Sequence, residues 1–410
     1  MEKRVVITGR GAVTPVGNNI ADSWASIKAG KHGIAEITRF DVTSHKVKMG
    51  AEVKDFVFED KREAKRLDLS SQMALTAAGE AVADSGIVSG ENVKAERFGV
   101  FAGTGIGGIS TLENEVTKCV KKDNPARASA LLVPMVMPNA VSGNLAIKFQ
   151  AKASCFGVVS ACAAGTHSVG EAFRNVKHGY ADVVLAGSAE SVFTPVCFSG
   201  FANMKAMSTR TDPSRCSTPF DAERDGFVLG EGAGFLILEE LEHALARGAK
   251  IYGEMVGYGA TCDAYHITAP APDGEGAANA MELALQEAGI APDQIDYINA
   301  HGTGTPYNDL FETNAIKKIF GNDTKVPISS TKSMTGHLLG AAGGIETVFC
   351  VEAINDGFIP ATIGLEKPDP ELTLDYVPNE GREADLNYVL SNSLGFGGHN
   401  GSIIVKKFEK

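Results

Sequence analysis

The chain has 410 residues, 44 % of them hydrophobic, with 46 glycines and a single Trp. That is enough for two or three ordinary domains, or for two large halves around a shared core. Its net charge of −12 disfavours nucleic acid as a general partner, and no apolar run approaches the length of a membrane span. The seven cysteines are scattered, odd in number and without a CxxC pair. They point to a reducing compartment, and neither a disulfide framework nor a metal site is expected. The N-terminus enters a strand at once and lacks the apolar stretch of a secretory signal, so the expected location is cytoplasmic.

Strand-like and helix-like runs alternate along the chain, which predicts α/β layers. A first strand is expected over Arg4–Gly9. Lys61-Arg62-Glu63-Ala64-Lys65-Arg66 then sets four positive charges within six residues. A helix is expected over Ser70–Ser85 and a strand over Phe98–Ala102. Gly103-Thr104-Gly105-Ile106-Gly107-Gly108 matches the spacing of a dinucleotide loop, but it lies deep in the chain and no helix is evident directly after it, so no nucleotide is expected there.

Cys162 is the most informative residue. Val158-Val159-Ser160-Ala161 precedes it, and Ala163-Ala164-Gly165-Thr166 opens a helix expected over Gly165–His178. A thiol at a helix start meets unpaired N–H groups and partial positive charge, which favour a thiolate. The small neighbours leave room for a carbonyl and for an oxyanion. A nucleophile therefore competes with the commoner reading of a small buried cysteine.

Strands are next expected over Asp182–Gly187 and, after a long insert, Phe235–Leu238. A helix over Glu239–Arg247 leads to a seam near residue 250, dividing the chain into halves 1–250 and 251–410. The second half shows a helix over Gly276–Ala288, strands over Asp296–Ala300 and Val326–Ser330, and a helix over Gly343–Ile354. Asp182–Ser188 with Gly232–Leu238 resembles Asn387–Ser393 with Gly401–Val405, a weak internal repeat. In that repeat the turn at Cys162 is matched to the Gly/Thr loop after Tyr297–Ala300.

Three further loops carry reactive side chains. Asn299-Ala300-His301-Gly302-Thr303-Gly304-Thr305-Pro306 puts an imidazole at a strand end. Ser330-Thr331-Lys332-Ser333-Met334-Thr335-Gly336-His337 gathers an ammonium and a second imidazole ahead of a helix that carries Glu346. Asn392-Ser393-Leu394-Gly395-Phe396-Gly397-Gly398 sets one aromatic ring among glycines, free to swing. A thiol, two imidazoles able to stay neutral and an ammonium suit acyl transfer through a thioester, with donors for a developing enolate.

Together these four motifs resemble the elongating beta-ketoacyl-acyl-carrier-protein synthases, the type II enzymes of fatty-acid synthesis most closely. The resemblance runs from Arg4–Gly9 to Asn400–Ser402. It implies a thiolase-like fold of two similar halves in five αβαβα layers, working as a homodimer. It also implies that Cys162 takes an acyl chain from acyl carrier protein, with the N–H groups of Cys162 and Phe396 as oxyanion hole. His301 and His337 would stabilise the enolate left when malonyl carrier protein loses carbon dioxide, and attack on the Cys162 thioester would give the 3-oxoacyl product. By the same resemblance Lys332 pairs with Glu346, Thr303 and Thr305 bind the phosphopantetheine arm, and Phe396 gates the site. Ile106 and Phe201 would line the acyl channel, and Glu346 is counted with the substrate pocket. Arg62, Lys65, Arg66, Lys205 and Arg210 would meet the acidic carrier protein. No cofactor of its own is implied, since phosphopantetheine arrives on the carrier.

Gly304 stands where Ser is usual and His399 where Thr is frequent, which keeps a type II polyketide ketosynthase as the alternative; no role is given to Asn144. A thiolase would carry a second cysteine where Phe396 stands. A priming synthase would usually show Asn at His337, and a chain-length subunit would lack Cys162.

Overall fold

The structure, a computed structural model, describes residues 2 to 409. Its main sheet has ten strands: β1 (Val5–Val13), β2 (Phe98–Gly103), β3 (Cys155–Val158), β4 (Val183–Glu190), β5 (Gly232–Glu240), β6 (Gly253–Cys262), β7 (Tyr297–Asn299), β8 (Ile328–Ser329), β9 (Tyr388–Gly395) and β10 (His399–Lys406). The strand order is β8-β7-β9-β10-β6-β1-β5-β4-β2-β3. Counted outward from the centre, each half runs antiparallel, antiparallel, parallel, parallel. Each strand of the first half thus has its counterpart five strands later. The halves join where Val5, Val6 and Ile7 pair with Met255, Glu254 and Gly253.

Six helices repeat in the same way: α1 (Leu69–Ser85), α2 (Ile109–Lys121), α3 (Ala164–Lys177), α4 (Glu275–Ala288), α5 (Pro306–Phe320) and α6 (Ala342–Asp356). An apolar core lies under α1, a second surrounds α3 and α6, and a third lies under α4 and α5. Three cores separated by two halves of a sheet make the five αβαβα layers. Every residue of α6 from Ala342 to Ile354 is buried, Glu346 and Glu352 included, as in a helix enclosed between two sheet halves.

β1 runs four residues past its expected end at Gly9. Its glycines do not stop the strand; they let α1 lie against it. A Cβ on Gly9 would sit 2.1 Å from the Ala81 carbonyl oxygen, and one on Gly11 would sit 2.1 Å from that of Ala77. The second half repeats the device, with Gly257 under Ala284 and Gly259 under Ala280. The helix expected over Glu239–Arg247 is shorter, at Leu241–Ala246. Glu239 and Glu240 finish β5, and the Glu240 carboxylate caps the helix by accepting from the His243 N–H at 2.8 Å.

The repeat pairs the loops differently from the expectation. Cys162 follows β3, so its counterpart follows β8, at Leu339-Gly340-Ala341. The His301 loop follows β7 and matches the Gly103–Gly108 loop after β2. β8 has two residues, too few to show a period, and this hid the correspondence. Among the described residues, no helix is long and apolar enough to cross a membrane.

Candidate active site

Cys162 sits on a tight turn between β3 and α3. Ala161 just before it has φ +50°, a left-handed conformation that costs a non-glycine residue on the order of 1 kcal/mol. Cys162 is 7 % exposed and lines a pocket of about 440 Å³. The backbone N–H groups of Phe396 and of Cys162 itself approach it. Gly395 permits this, because a Cβ there would lie 3.2 Å from the Cys162 nitrogen and 2.9 Å from the Ser160 oxygen. These two N–H groups can serve an oxyanion at the same place.

Burial pushes the Cys162 thiol up to about 12, against the pull of the Lys332 ammonium and the two N–H groups. Desolvation thus opposes the pull of the helix start and of Lys332 on this thiol.

His301 and His337 come from different loops and meet on the same pocket, with ring centroids 5.1 Å apart and planes at 87°. Burial first, then the Lys332 charge, hold both imidazoles well below their usual range, so both are neutral. The backbone N–H groups of His301 and Gly302 donate to the two Glu312 oxygens, each at 2.8 Å. His337 is fixed through its backbone: its N–H donates to Val228 O at 2.6 Å, and its carbonyl accepts from Gly230 at 2.9 Å. The Phe227 ring packs edge-on against it at 5.5 Å.

Lys332 is fully buried and bonded to Glu346. Neither lines the pocket, so Glu346, counted with substrate contacts on the sequence, stands behind Lys332 instead. Thr303 and Thr305 line the pocket with their hydroxyls 2.9 Å apart, and Phe201 and Phe396 are on its wall. Ile106 is not on that wall; it packs on the apolar cluster that holds Cys162 and Phe201.

The basic residues divide. Lys205 is exposed at the pocket mouth. Arg62, Lys65 and Arg66 are exposed on and beside the short turn Ala64–Arg66, on no wall of this pocket. Arg210 is not free for a partner: it lies 3.8 Å from both Glu223 and Asp225 and donates to the Glu223 and Arg215 carbonyls. Asn144 bonds back to Ala140 in its own helix, and His399 stacks edge-on with His167 at 6.2 Å.

Three buried acids were missed on the sequence. Glu312 holds the His301 loop, and Asp309 accepts from Gly304 at 3.2 Å and from Phe220 at 2.9 Å. They stand three apart near the start of α5, a spacing that shares one helix face and was readable. Glu190 carries no such signal. Its carboxylate takes the N–H groups of Gly105 and Ile106, filling from within the glycine-rich loop that mimics a phosphate site. A helix does open there, at Ile109.

This fold, with a thiol on a strand–turn–helix and imidazoles from the other half, defines a thiolase-like acyltransferase. Family models match twice: the beta-ketoacyl synthase N-terminal domain over residues 2–244 and the C-terminal domain over 252–366. The chain belongs to the beta-ketoacyl synthase family. It is 51 % identical over 413 residues to a 3-oxoacyl-[acyl-carrier-protein] synthase 2 of Synechocystis, covering 100 % of this chain and 99 % of that one. The protein of the same name from Staphylococcus aureus strain COL is 49 % identical over 411 residues, with 99 % of each chain covered. Among solved structures, a type II polyketide ketosynthase bound to its acyl carrier protein and a hexaketide superposes with a TM-score of 0.92 at 34 % identity, over all of both chains.

Proposed function

We propose that this chain condenses malonyl-acyl carrier protein with an acyl chain carried on Cys162, releasing carbon dioxide and giving 3-oxoacyl-acyl carrier protein in type II fatty-acid elongation. The observation that carries this reading is the convergence of Cys162, the Phe396 N–H and two neutral imidazoles on one pocket. The relatives at about half identity, named as 3-oxoacyl-carrier-protein synthases, favour it over the polyketide alternative.

Cys162 attacks the incoming thioester, and the N–H groups of Cys162 and Phe396 hold the oxyanion. The thiol proton leaves with the carrier's own sulfur. Malonyl carrier protein then enters past Phe396, with Thr303 and Thr305 on its phosphopantetheine arm. Loss of carbon dioxide leaves an enolate, whose oxygen needs hydrogen-bond donors more than a base. Neutral His301 and His337 are such donors. The carbanion attacks the Cys162 thioester, the carbon–sulfur bond breaks, and the sulfur leaves as thiolate and regains a proton from solvent. Lys332 and Glu346 set the field behind the rings. The chemistry calls for no metal or cofactor resident in the protein.

Acyl carrier protein is the partner, met by Lys205 at the mouth and by Arg62, Lys65 and Arg66 on and beside the Ala64–Arg66 turn. We read residues 1–250 and 251–410 as the two halves, a division the five-strand repeat supports, and the cytoplasm as the working location. A homodimer is part of the same reading. β3 is an edge strand with Phe156 55 % exposed, and Val159 directly after it is exposed as well. A second copy of β3 would cover this edge. Phe156→Glu should then yield monomers in sedimentation.

An elongation assay with malonyl carrier protein and acyl carriers of graded length, followed by mass spectrometry, tests the function. A product two carbons longer with a 3-oxo group is expected; its absence with every acyl length would overturn the reading.

A further inference from the structure

The second half contains a turn built like that of Cys162, without a nucleophile. Leu339 has φ +48°, as Ala161 has +50°, and Gly340 stands where the repeat places Cys162. In the first turn the backbone N–H of Cys162 faces the reacting sulfur. In the second, the N–H of Gly340 donates to Glu190 Oε2 at 3.1 Å. The same carboxylate accepts from Gly105 N–H at 2.6 Å, Ile106 N–H at 3.3 Å and the Thr104 hydroxyl at 3.0 Å.

Glu190 is fully buried at the end of β4, and all four of these partners are neutral donors. Burial pushes its carboxyl up to about 7, while the donors pull it back. A buried acid of this kind is costly, and a packing role alone would be met by an apolar side chain. Its surroundings are built for it. A Cβ on Gly340 would lie 2.8 Å from Glu190 Oε2 and 2.2 Å from the Gly105 nitrogen. A Cβ on Gly105 would lie 2.7 Å from the same oxygen and 3.6 Å from the Ala161 carbonyl, on the Cys162 turn. Two backbone segments therefore close around one carboxylate, with the Cys162 turn next to the first. They carry Ile106 and Leu339, which pack in the apolar cluster with Cys162.

We propose that Glu190 is a positioning residue for acyl loading: its carboxylate fastens the Thr104–Ile106 loop of the first half to the Gly340 turn of the second, and so sets the acyl-side wall beside Cys162. This rests on the reading of Cys162 as the acyl acceptor. His337 is three residues from Gly340 but has its own backbone anchors at Val228 and Gly230. Loading and malonyl decarboxylation should therefore respond differently.

Glu190→Gln keeps the volume but turns an amide N–H₂ toward backbone N–H groups. Acyl-enzyme formation from acyl carrier protein, read by intact-protein mass spectrometry, should fall about tenfold, the loss of one hydrogen bond to a charged group. Malonyl decarboxylation should stay within about twofold, because its two imidazoles keep their anchors. Thr104→Val keeps the shape but removes the hydroxyl that donates to Glu190 and accepts from the Gly107 N–H at 3.0 Å, and should slow loading about threefold, as a neutral-group loss. Equal losses in both half-reactions, or unchanged loading, would overturn the proposal. If Glu190→Gln does not fold, Thr104→Val decides alone, and unchanged loading in it overturns the proposal. Wild-type enzyme that takes no acyl group would instead sink the reading of Cys162.

Discussion

The two halves share one topology and divide the chemistry. Cys162 in the first half answers to Gly340 in the second; His301 in the second answers to Gly103 in the first. Both turns pass through a left-handed non-glycine residue into a buried central helix. The backbone that carries Cys162 is thus present twice, and only one copy has room for a side chain. At Gly340 a Cβ would strike the Gly105 nitrogen at 2.2 Å. The sheet edges differ as well. β8 is covered, with Ile328 N–H donating to Asp375 O at 2.8 Å, whereas β3 is open. A repeated scaffold therefore does not imply two sites; local crowding decides which turn can carry a reactive group.

The largest test of this asymmetry is Cys162→Ala. Condensation should fall by about 10⁴-fold or more while the fold survives, since the nucleophile has no substitute. Continued elongation of carrier-bound chains would break the comparison at its base. Next, in a Cys162→Gln background, malonyl decarboxylation should persist or rise, and adding His301→Ala or His337→Ala should lower it about 10²-fold, the scale of a lost oxyanion donor. Normal carbon dioxide release without either ring would contradict their assignment. Gly340→Ala sharpens the contrast from the other side. It overpacks a turn closed by backbone, costing about 1–3 kcal/mol, and its melting temperature should drop well below that of Cys162→Ala. Equal melting temperatures would mean that the second turn is not crowded.

Smaller effects follow from charge. Both imidazoles are held below their ordinary range, so they stay neutral as pH rises and gain protons only in acid. Decarboxylation by Cys162→Gln should stay level through the ordinary imidazole range, where an unperturbed ring, at about 6.5, would halve it, and decline only in more acid solution. Reversing Lys65 and Arg66 should raise the KM for carrier protein about three- to tenfold and spare small thioesters, with the difference shrinking in salt. An equal change for both substrates would remove that patch from docking.

Much of this site was legible because its reactive groups lie on loops at strand ends, where residue type reports chemistry directly. Cys162, His301, Lys332, His337 and Phe396 stand in short motifs among glycines and small residues. The helices over Ser70–Ser85 and Gly276–Ala288 were readable to within a residue, from their runs of Ala between cap and glycine. Glu190 and Glu312 were not, because a buried acid is defined by distant backbone donors and leaves no local period. The true partner of the Cys162 turn was hidden by a two-residue strand. The burial that opposes the helix start at the Cys162 thiol was equally illegible, since the sequence does not display desolvation.

The seam between the halves has a dynamic consequence. β1 is hydrogen-bonded to a strand of each half, and α3 and α6 cross so closely that a Cβ on Gly343 would lie 2.3 Å from the Thr166 nitrogen. Such a joint resists hinging. In the proposed reaction two successive substrates would then be admitted by single rings and short turns moving within this frame, Phe396 between Gly395 and Gly397 among them, rather than by a clamshell motion of the whole.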